Sequence, residues 1–100
     1  MLKISEVFQK QIRTHQERPD GTEYVHFVQA FDTRDILLNP SYIVAVQPYE
    51  FSSSMDRTRA EEAFPVGTKF VKLILDGHSF RSSEIVAVGS FDKFFRELQG

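Results

Sequence analysis

The hydrophobic and polar positions of the first seventeen residues follow a period close to that of a helix. Residues 2–17 are rich in Gln, Lys, Glu and Arg, which favour helices. The apolar or long side chains recur three or four residues apart, at Ile4, Val7, Phe8, Gln11, Ile12 and His15. Residues 18–21 (RPDG) are typical of a hairpin turn. The pattern therefore predicts an N-terminal helix over residues 2–17, with a strand as the alternative.

After Thr22 the pattern changes to a period of two. Residues 23–31 (EYVHFVQAF) alternate between two faces and are rich in aromatic and β-branched side chains, so they predict a strand that ends at residues 32–35 (DTRD). A short apolar piece follows at residues 36–38. Residues 42–46 (YIVAV) form an unbroken apolar run, which is typical of a strand buried on both faces, and Pro48 is expected to close it.

Residues 51–64 change to serine and charged side chains. Ser54 is a candidate N-cap for a short helix over residues 55–64, with a loop as the alternative. Residues 68–75 (TKFVKLIL) then predict another strand. Asp76-Gly77 is a two-residue hairpin signal, and it predicts a return strand that runs from residue 78 to residue 88.

The last ten residues carry the clearest helical pattern. Gly89 ends the preceding strand, Ser90 is a suitable N-cap, and Asp92 lies in the first turn, where the helix dipole favours an acid. The apolar side chains recur at helical spacing, at Phe91, Phe94, Phe95 and Leu98. This pattern predicts an amphipathic helix that lies across one face of the sheet.

The sequence also repeats itself. Ser-x-Ile-Val-Ala-Val occurs at residues 41–46 and again at 83–88, and residues 19–27 (PDGTEYVHF) align with residues 65–73 (PVGTKFVKL). One interpretation is a duplicated strand-turn-strand unit, and the other is that β-structure draws on a small vocabulary of turns and Val/Ile runs. The two units would be residues 19–50 and 65–93, and residues 51–64 would be the charged connector between them.

Length and composition narrow the fold class. One hundred residues suit a single domain, and 41% hydrophobic residues with ten Phe and no Trp indicate a globular core packed largely by phenylalanine. We therefore expect one α+β domain: a small, mainly antiparallel sheet or partly open barrel of about five strands, with a C-terminal amphipathic helix and an N-terminal helix.

Charge and cysteine content exclude several classes of function. The net charge of −2 gives no global attraction to nucleic acid or to anionic lipid. The absence of Cys excludes disulfides and thiolate chemistry and suits a reducing compartment. No apolar run has the length of a signal peptide or a membrane helix. We expect a cytoplasmic protein with no membrane partner.

Catalytic and metal-binding motifs are weak. Asp76, His78 and Ser79 lie close together, but adjacent strand residues point to opposite faces, so a hairpin turn with a solvated imidazole is the simpler interpretation. The three His lack the short spacing of zinc ligands, and the five Gly form no phosphate-binding loop. The sequence predicts no catalytic residue, no metal and no cofactor.

The candidate binding residues fall in two places. Arg57 and Arg59 belong to a connector that is long for so small a domain, where Arg could hold an acidic partner. Asp76, His78 and Arg81 surround the predicted hairpin turn. A second interpretation takes basic residues near Phe70 and Phe80 as a surface for single-stranded nucleic acid. These basic residues are Lys69, Lys72, Arg81, Lys93 and Arg96.

Two families share sequence features with the C-terminal two thirds of the chain. Residues 71–80 (VKLILDGHSF) and 90–94 (SFDKF) resemble the first motif of Sm-like RNA-binding barrels. Residues 38–48 (LNPSYIVAVQP) are similar to a family of short flagellar accessory proteins with strands, a Gly hairpin and a terminal helix. Neither resemblance assigns a functional residue.

These observations favour a non-enzymatic binding or regulatory module that docks on another protein or on a second copy of itself as a homodimer. The exposed edges of a small sheet are the positive argument for this class. The alternatives are a nucleic-acid-binding β-barrel and a small enzyme whose site is not visible from the sequence.

Overall fold

A computed structural model describes residues 1–77 and 83–99 of the chain. The first half of the return strand predicted after Gly77, with the candidate residues His78 and Arg81, lies outside the described residues. The elements in chain order are β1 (Leu2–Glu17), β2 (Glu23–Leu38), a 3₁₀ turn (Pro40–Tyr42), β3 (Ile43–Tyr49), α1 (Ser54–Ala63), β4 (Phe70–Leu75), β5 (Glu84–Val88) and α2 (Phe91–Gln99).

The five strands form one open sheet in the order β2-β1-β5-β4-β3. Every neighbouring pair is antiparallel, so the predicted α+β class and antiparallel sheet are confirmed. Strands β2 and β3 are consecutive in the chain but lie at opposite edges of the sheet. No helix in the described part of the chain is long and apolar enough to cross a membrane.

The prediction of an N-terminal helix is wrong, because residues 2–17 form strand β1. All sixteen residues pair with β2, and the turn at residues 18–21 closes this hairpin. In that turn the amide of Gly21, at φ 87°, donates to the carbonyl of Arg18 over 2.9 Å. A ladder of this length satisfies the backbone of both strands and outweighs the local helical preference. The spacing that resembled a helix instead places Ile4 and Val7 in different core clusters.

The predicted break at residues 32–35 is also absent, and β2 continues without interruption to Leu38. The charged side chains of this stretch are tolerated in the strand because each has a partner on β1. Lys10 Nζ donates to Asp32 Oδ2 over 2.7 Å, Arg34 Nε donates to Glu6 Oε1 over 2.7 Å, and Ser5 Oγ donates to Asp35 Oδ1 over 3.1 Å. Cross-strand pairs of this kind stabilise a sheet.

Two apolar clusters form the core. One cluster includes Phe94 of α2, and its other buried members are Ile4, Leu38, Val71, Leu73, Leu75, Ile85 and Ala87. The second includes Ala60 of α1, and its other buried members are Val7, Phe31 and Phe51. Alternate residues of β4 and β5 enter different clusters, so the two clusters lie on opposite faces of the sheet.

Aromatic rings from opposite edges of the sheet meet in one of the clusters. Phe31 lies on the edge strand β2, and Phe51 follows the other edge strand, β3, yet their ring centroids are 4.8 Å apart. In a flat sheet four strand spacings would separate these edges by about 19 Å. The fold therefore brings residues from both edges of the sheet into the same cluster.

The two Ile-Val-Ala-Val segments have different environments. The first lies in β3 at an edge, where the pairing with β4 shifts between Ile43 and Ala45 and leaves Val44 71% exposed. It is therefore not the strand buried on both faces that the sequence predicted, and β3 also continues past Pro48 to Tyr49. The second copy, in β5, lies between β1 and β4. The duplication itself stays a prediction.

The turn between β4 and β5 also differs from the prediction. Ile74 pairs with Glu84, and the amide of Leu75 donates to the carbonyl of Ser83 over 2.8 Å. This register leaves residues 76–82 between the paired strands, so the predicted two-residue turn at Asp76-Gly77 is wrong.

The cap of α2 was predicted at the correct residue, and the cap of α1 was predicted one residue too late. The charged connector contains helix α1, and the cap is Ser53, one residue before the expected Ser54, with its Oγ accepting from the amide of Asp56 over 3.0 Å. The Oγ of Ser90 accepts from the amide of Lys93 over 3.1 Å at the start of α2. The C-terminal amphipathic helix is therefore confirmed.

Phe94 and Phe95 of α2 make a matched pair for a test of the core. Phe94 is 1% exposed and Phe95 is 53% exposed. We expect Phe94→Ala to lower the free energy of unfolding by about 3–5 kcal/mol, because it opens a cavity beneath α2. Phe95→Ala should cost about 1 kcal/mol or less. Urea unfolding followed by circular dichroism measures both, and equal losses would contradict this placement of α2.

Candidate functional site

The outer part of the β1–β2 hairpin extends beyond the rest of the sheet. Strand β1 pairs with β5 only at Glu6 and Val7, whereas its pairing with β2 continues for ten further residues to Glu17. We call residues 11–29 the arm. The molecule measures 61 Å along its longest axis, and its radius of gyration is 17.1 Å. A compact chain of one hundred residues has a radius of gyration of about 13 Å, so the arm makes the molecule elongated.

The arm is a two-stranded ribbon, and neither of its edges pairs with another strand among residues 1–77 and 83–99. Beyond Val7, β1 has only β2 as a described neighbour, and β2 has only β1 along its whole length. An isolated two-stranded ribbon is marginally stable in water, and unpaired strand edges are templates for pairing with another chain. The arm is thus the element of this fold that would gain most from a partner.

One face of the arm makes its own side-chain contacts. Tyr24 donates its hydroxyl to Gln16 Oε1, and its ring stacks on the imidazole of His26 with centroids 5.7 Å apart. The hydroxyl of Thr14 lies 3.1 Å from a ring nitrogen of His26, and the guanidinium of Arg18 lies 4.8 Å from the centroid of the Tyr24 ring. We call this the tyrosine face. Its residues are Ile12, Thr14, Gln16, Tyr24, His26 and Val28.

On the opposite face of the arm, the charged residues make no ion pairs with described residues. Phe27 is 61% exposed and Val25 is 41% exposed. Glu17 lies directly opposite Glu23, a like-charge pair that destabilises a ribbon, while Arg13 lies opposite Phe27. In the described chain none of these three charged residues forms an ion pair. We call this the phenylalanine face. Its residues are Gln11, Arg13, His15, Glu17, Glu23, Val25, Phe27 and Gln29.

Charged hydrogen bonds fix the base and the tip of the arm. At the base, Lys10 Nζ donates to Asp32 and, with the amide of Thr33, holds the pKa of Asp32 below its ordinary value of 3.8. At the tip, the hydroxyl and the amide of Thr22 both donate to Asp20 Oδ1 and lower the pKa of that carboxyl. Both carboxylates are therefore ionised over the neutral pH range.

A cleft of about 500 Å³ lies between the end of β3, helix α1 and the start of α2. Its apolar wall is formed by packed aromatic rings, with Phe51 5.2 Å from Tyr49 and 5.1 Å from Phe70 between centroids. The rim carries charges of both signs, from Glu50, Arg57, Glu61, Lys69 and Asp92. A cleft of this size and lining can accept an apolar side chain of a partner. The charged residues of its rim can then form ion pairs with neighbouring charged groups of that partner.

The structure separates the candidate residues of the connector. Arg57 lines this aromatic cleft. Arg59 lies instead beside a shallow groove at the base of the arm, with its Nη1 4.0 Å from Asp56 Oδ1. The two arginines therefore do not form one site, because residues two apart on a helix point in different directions.

Asp76, the described candidate residue near the β4–β5 connection, lies far from the cleft. Asp76 follows the end of β4, six residues or about 20 Å from the start of β4, where the cleft lies. Its amide donates to the carbonyl of Tyr42 over 2.9 Å. His78 and Arg81 lie outside the described residues.

The arm was missed because residues 2–17 were interpreted as a helix. The turn at residues 18–21, followed by a segment with strand alternation, was the signal for a long hairpin. The aromatic cleft had no local signal, since Tyr49 and Phe70 come together only through the register between β3 and β4, which places Phe51 beside them.

Among the described residues, no group of three His, Asp or Glu side chains is placed to hold a metal ion. Comparison with protein-family models, curated protein sequences and solved structures gives no match to this chain. The candidate sites therefore rest on geometry alone.

Replacing Lys10 tests the electrostatics at the base of the arm. In Lys10→Met the pKa of Asp32 should rise towards its ordinary value, because the largest cause of its lowering is removed. A lowered pKa means that the stabilisation by this carboxylate is present above pH 3.8 and lost as the pH falls through the lower folded value. Carboxyl chemical shifts followed by NMR during an acid titration report the pKa directly.

Asp20 is the internal control for this titration, because its pKa is lowered by Thr22 and not by Lys10. It should titrate identically in both proteins. A rise at Asp20 equal to that at Asp32 would show a general change in the arm instead of the loss of one hydrogen bond.

Proposed function

We propose that this protein is a non-enzymatic binding module that docks on another protein through its arm. The observation that carries the proposal is the two-stranded ribbon of residues 11–29, with both edges unpaired by any described strand and apolar side chains exposed on both faces. Strand addition along an unpaired edge is a common mode of protein recognition. A partner that covered the arm would bury Ile12, Val25, Phe27 and Val28, all of which are at least 39% exposed.

The aromatic cleft supports docking and gives little support to catalysis. Its two aliphatic hydroxyl groups are used in backbone hydrogen bonds: Thr68 Oγ1 donates to the carbonyl of Pro65 over 2.6 Å, and Ser90 Oγ caps α2, while the third hydroxyl is the phenol of Tyr49. No imidazole lines the cleft. A nucleophile beside a general base is the arrangement that acyl-transfer chemistry needs, and the described lining does not contain one.

Nucleic-acid binding has less support than protein docking. Phe70 packs against Phe51 and Phe64, with both centroid distances 5.1 Å, and is therefore not available for base stacking. Lys72 Nζ lies 3.1 Å from Glu84 and 5.2 Å from the centroid of the Tyr49 ring. Single-strand binders need exposed aromatic rings beside uncompensated cations, and these residues offer neither.

Site-specific photocrosslinking in the native host tests the proposal. A photoreactive amino acid at Phe27 on the arm should give a defined protein adduct in living cells, because the arm would be the docking element. The same amino acid at Phe95, an exposed aromatic position on α2, is the matched control. Adducts with nucleic acid, or equal protein adducts at both positions, would contradict docking through the arm.

A variant without the arm gives a second measurement. Asn-Gly in place of residues 12–28 should close the hairpin between the opposed Gln11 and Gln29 and leave the core residues Val7 and Phe31 in place. We expect cooperative unfolding to be retained, as measured by circular dichroism. The partner identified by crosslinking should no longer bind, and undiminished binding would remove the arm from the docking surface.

A further inference from the structure

The phenylalanine face of the arm is complementary to itself. We propose that this face packs against the same face of a second copy of the chain, with the two arms antiparallel about a two-fold axis at the row of His15 and Val25. The proposal rests on the proposed docking function and names the partner as a second copy.

The two faces of the arm differ in which side chains have a contact within the arm. On the tyrosine face, the hydroxyl of Tyr24 and the ring of His26 already have partners within the arm. On the phenylalanine face, Phe27 and Val25 remain exposed, and the carboxylates of Glu17 and Glu23 lie side by side without a described cation. The phenylalanine face therefore gains more from being covered.

The order of charges along β1 selects the antiparallel arrangement. Arg13 lies two residues before His15, and Glu17 lies two residues after it, so each is about 7 Å from the central row along the strand. Consider a two-fold axis that lies in the interface and runs along that row. It places β1 of one copy over β1 of the second copy, with the two strands running in opposite directions. Each Arg13 then faces Glu17 of the other copy, and two ion pairs form.

The same axis brings apolar groups together at the centre. Val25 faces Val25 of the second copy, and Phe27 is placed over Glu23 and beside Val25 of that copy. Two sheets pack face to face at about 10 Å, which suits side chains of this size. The guanidinium of Arg13 in the opposite copy also offsets the repulsion between Glu17 and Glu23 within one arm.

Other registers of the two arms are less favourable. An axis through the row of Arg13 and Phe27 would oppose Arg13 with Arg13 of the second copy. An axis midway between this row and the central one would leave Glu17 and Glu23 facing the amides of Gln11 and Gln29, with no cation nearby. Only the axis at His15 and Val25, among these three, pairs opposite charges.

The phenylalanine face is small, so we expect two copies of the chain to associate weakly. Four rows of a two-stranded ribbon cover about 20 by 10 Å, less than the roughly 800 Å² that each partner buries in a standard interface. We expect reversible dimerisation that depends on concentration and weakens with salt, because its specificity comes from ion pairs.

A charge-swap experiment tests the proposed pairing. Sedimentation equilibrium of the intact chain should show a monomer–dimer equilibrium at concentrations up to about 1 mM. Arg13→Glu and Glu17→Arg should each raise the dimer Kd at least about tenfold, since like charges would then face each other. The double variant Arg13→Glu, Glu17→Arg should return to within about threefold of the original Kd, because its ion pairs are reversed but intact.

Mixing the two single variants gives the sharpest result. One copy then carries Glu at positions 13 and 17 and the other carries Arg at both, so a heterodimer should form from two proteins that separately remain monomeric. Lys3→Glu makes the same change of charge on the same face of β1, outside the arm, and should leave the Kd unchanged. Circular dichroism confirms that each variant is folded.

Several outcomes would overturn the inference. A monomer over the whole concentration range, a double variant as weak as either single variant, or no heterodimer in the mixture would each do so. These failures remain distinct from failure of the proposed function. A defined adduct with a different protein at Phe27 would retain docking through the arm and remove only the second copy as its occupant.

Discussion

The ladder between β1 and β2 is the constraint on which the rest of this structure depends. Sixteen residues pair on each strand, while in the described chain only two residues of β1 pair with the next strand of the sheet. Near its open end the hairpin contributes Ile4, Val7, Phe31 and Leu38 to the core and is held by both clusters. Towards the turn it continues without support from any other strand. One continuous element therefore supplies both a wall of the core and the arm.

Cross-strand charge pairs make such a long hairpin possible. Glu6 with Arg34 and Lys10 with Asp32 place acid against base at the point where the hairpin leaves the sheet. The Lys10–Asp32 pair is exposed and contributes little to the free energy of unfolding, whereas the Glu6 side chain of the other pair is buried. Their larger effect is on register, because a slip of one residue would move every charged side chain to the wrong face. The arm thus begins from a well-defined register.

Features that depend on neighbours in the sequence were predictable, and features that depend on residues far apart in the sequence were not. The turn at residues 18–21, the serine cap of α2 and the stripe that buries Phe94 depend on neighbours within a few residues, and the sequence identified them. The cleft depends on Phe51 meeting Phe70 and Phe31 from other strands, and no local pattern encodes that meeting. Arg57, a candidate from the sequence, lines the cleft, but its separation from Arg59 required the direction of each side chain on α1.

The sequence by itself determined that this is a small α+β domain with an antiparallel sheet, a capped C-terminal helix and no cysteine chemistry. Those properties follow from composition, turn residues and short-range periodicity. Only the tertiary structure decided that residues 2–17 form a strand, because their helical spacing is locally as acceptable as an extended conformation. Pairing with β2 over the full length of the segment satisfies its backbone groups. That pairing produced the arm and its two faces, one with its own internal contacts and one without them.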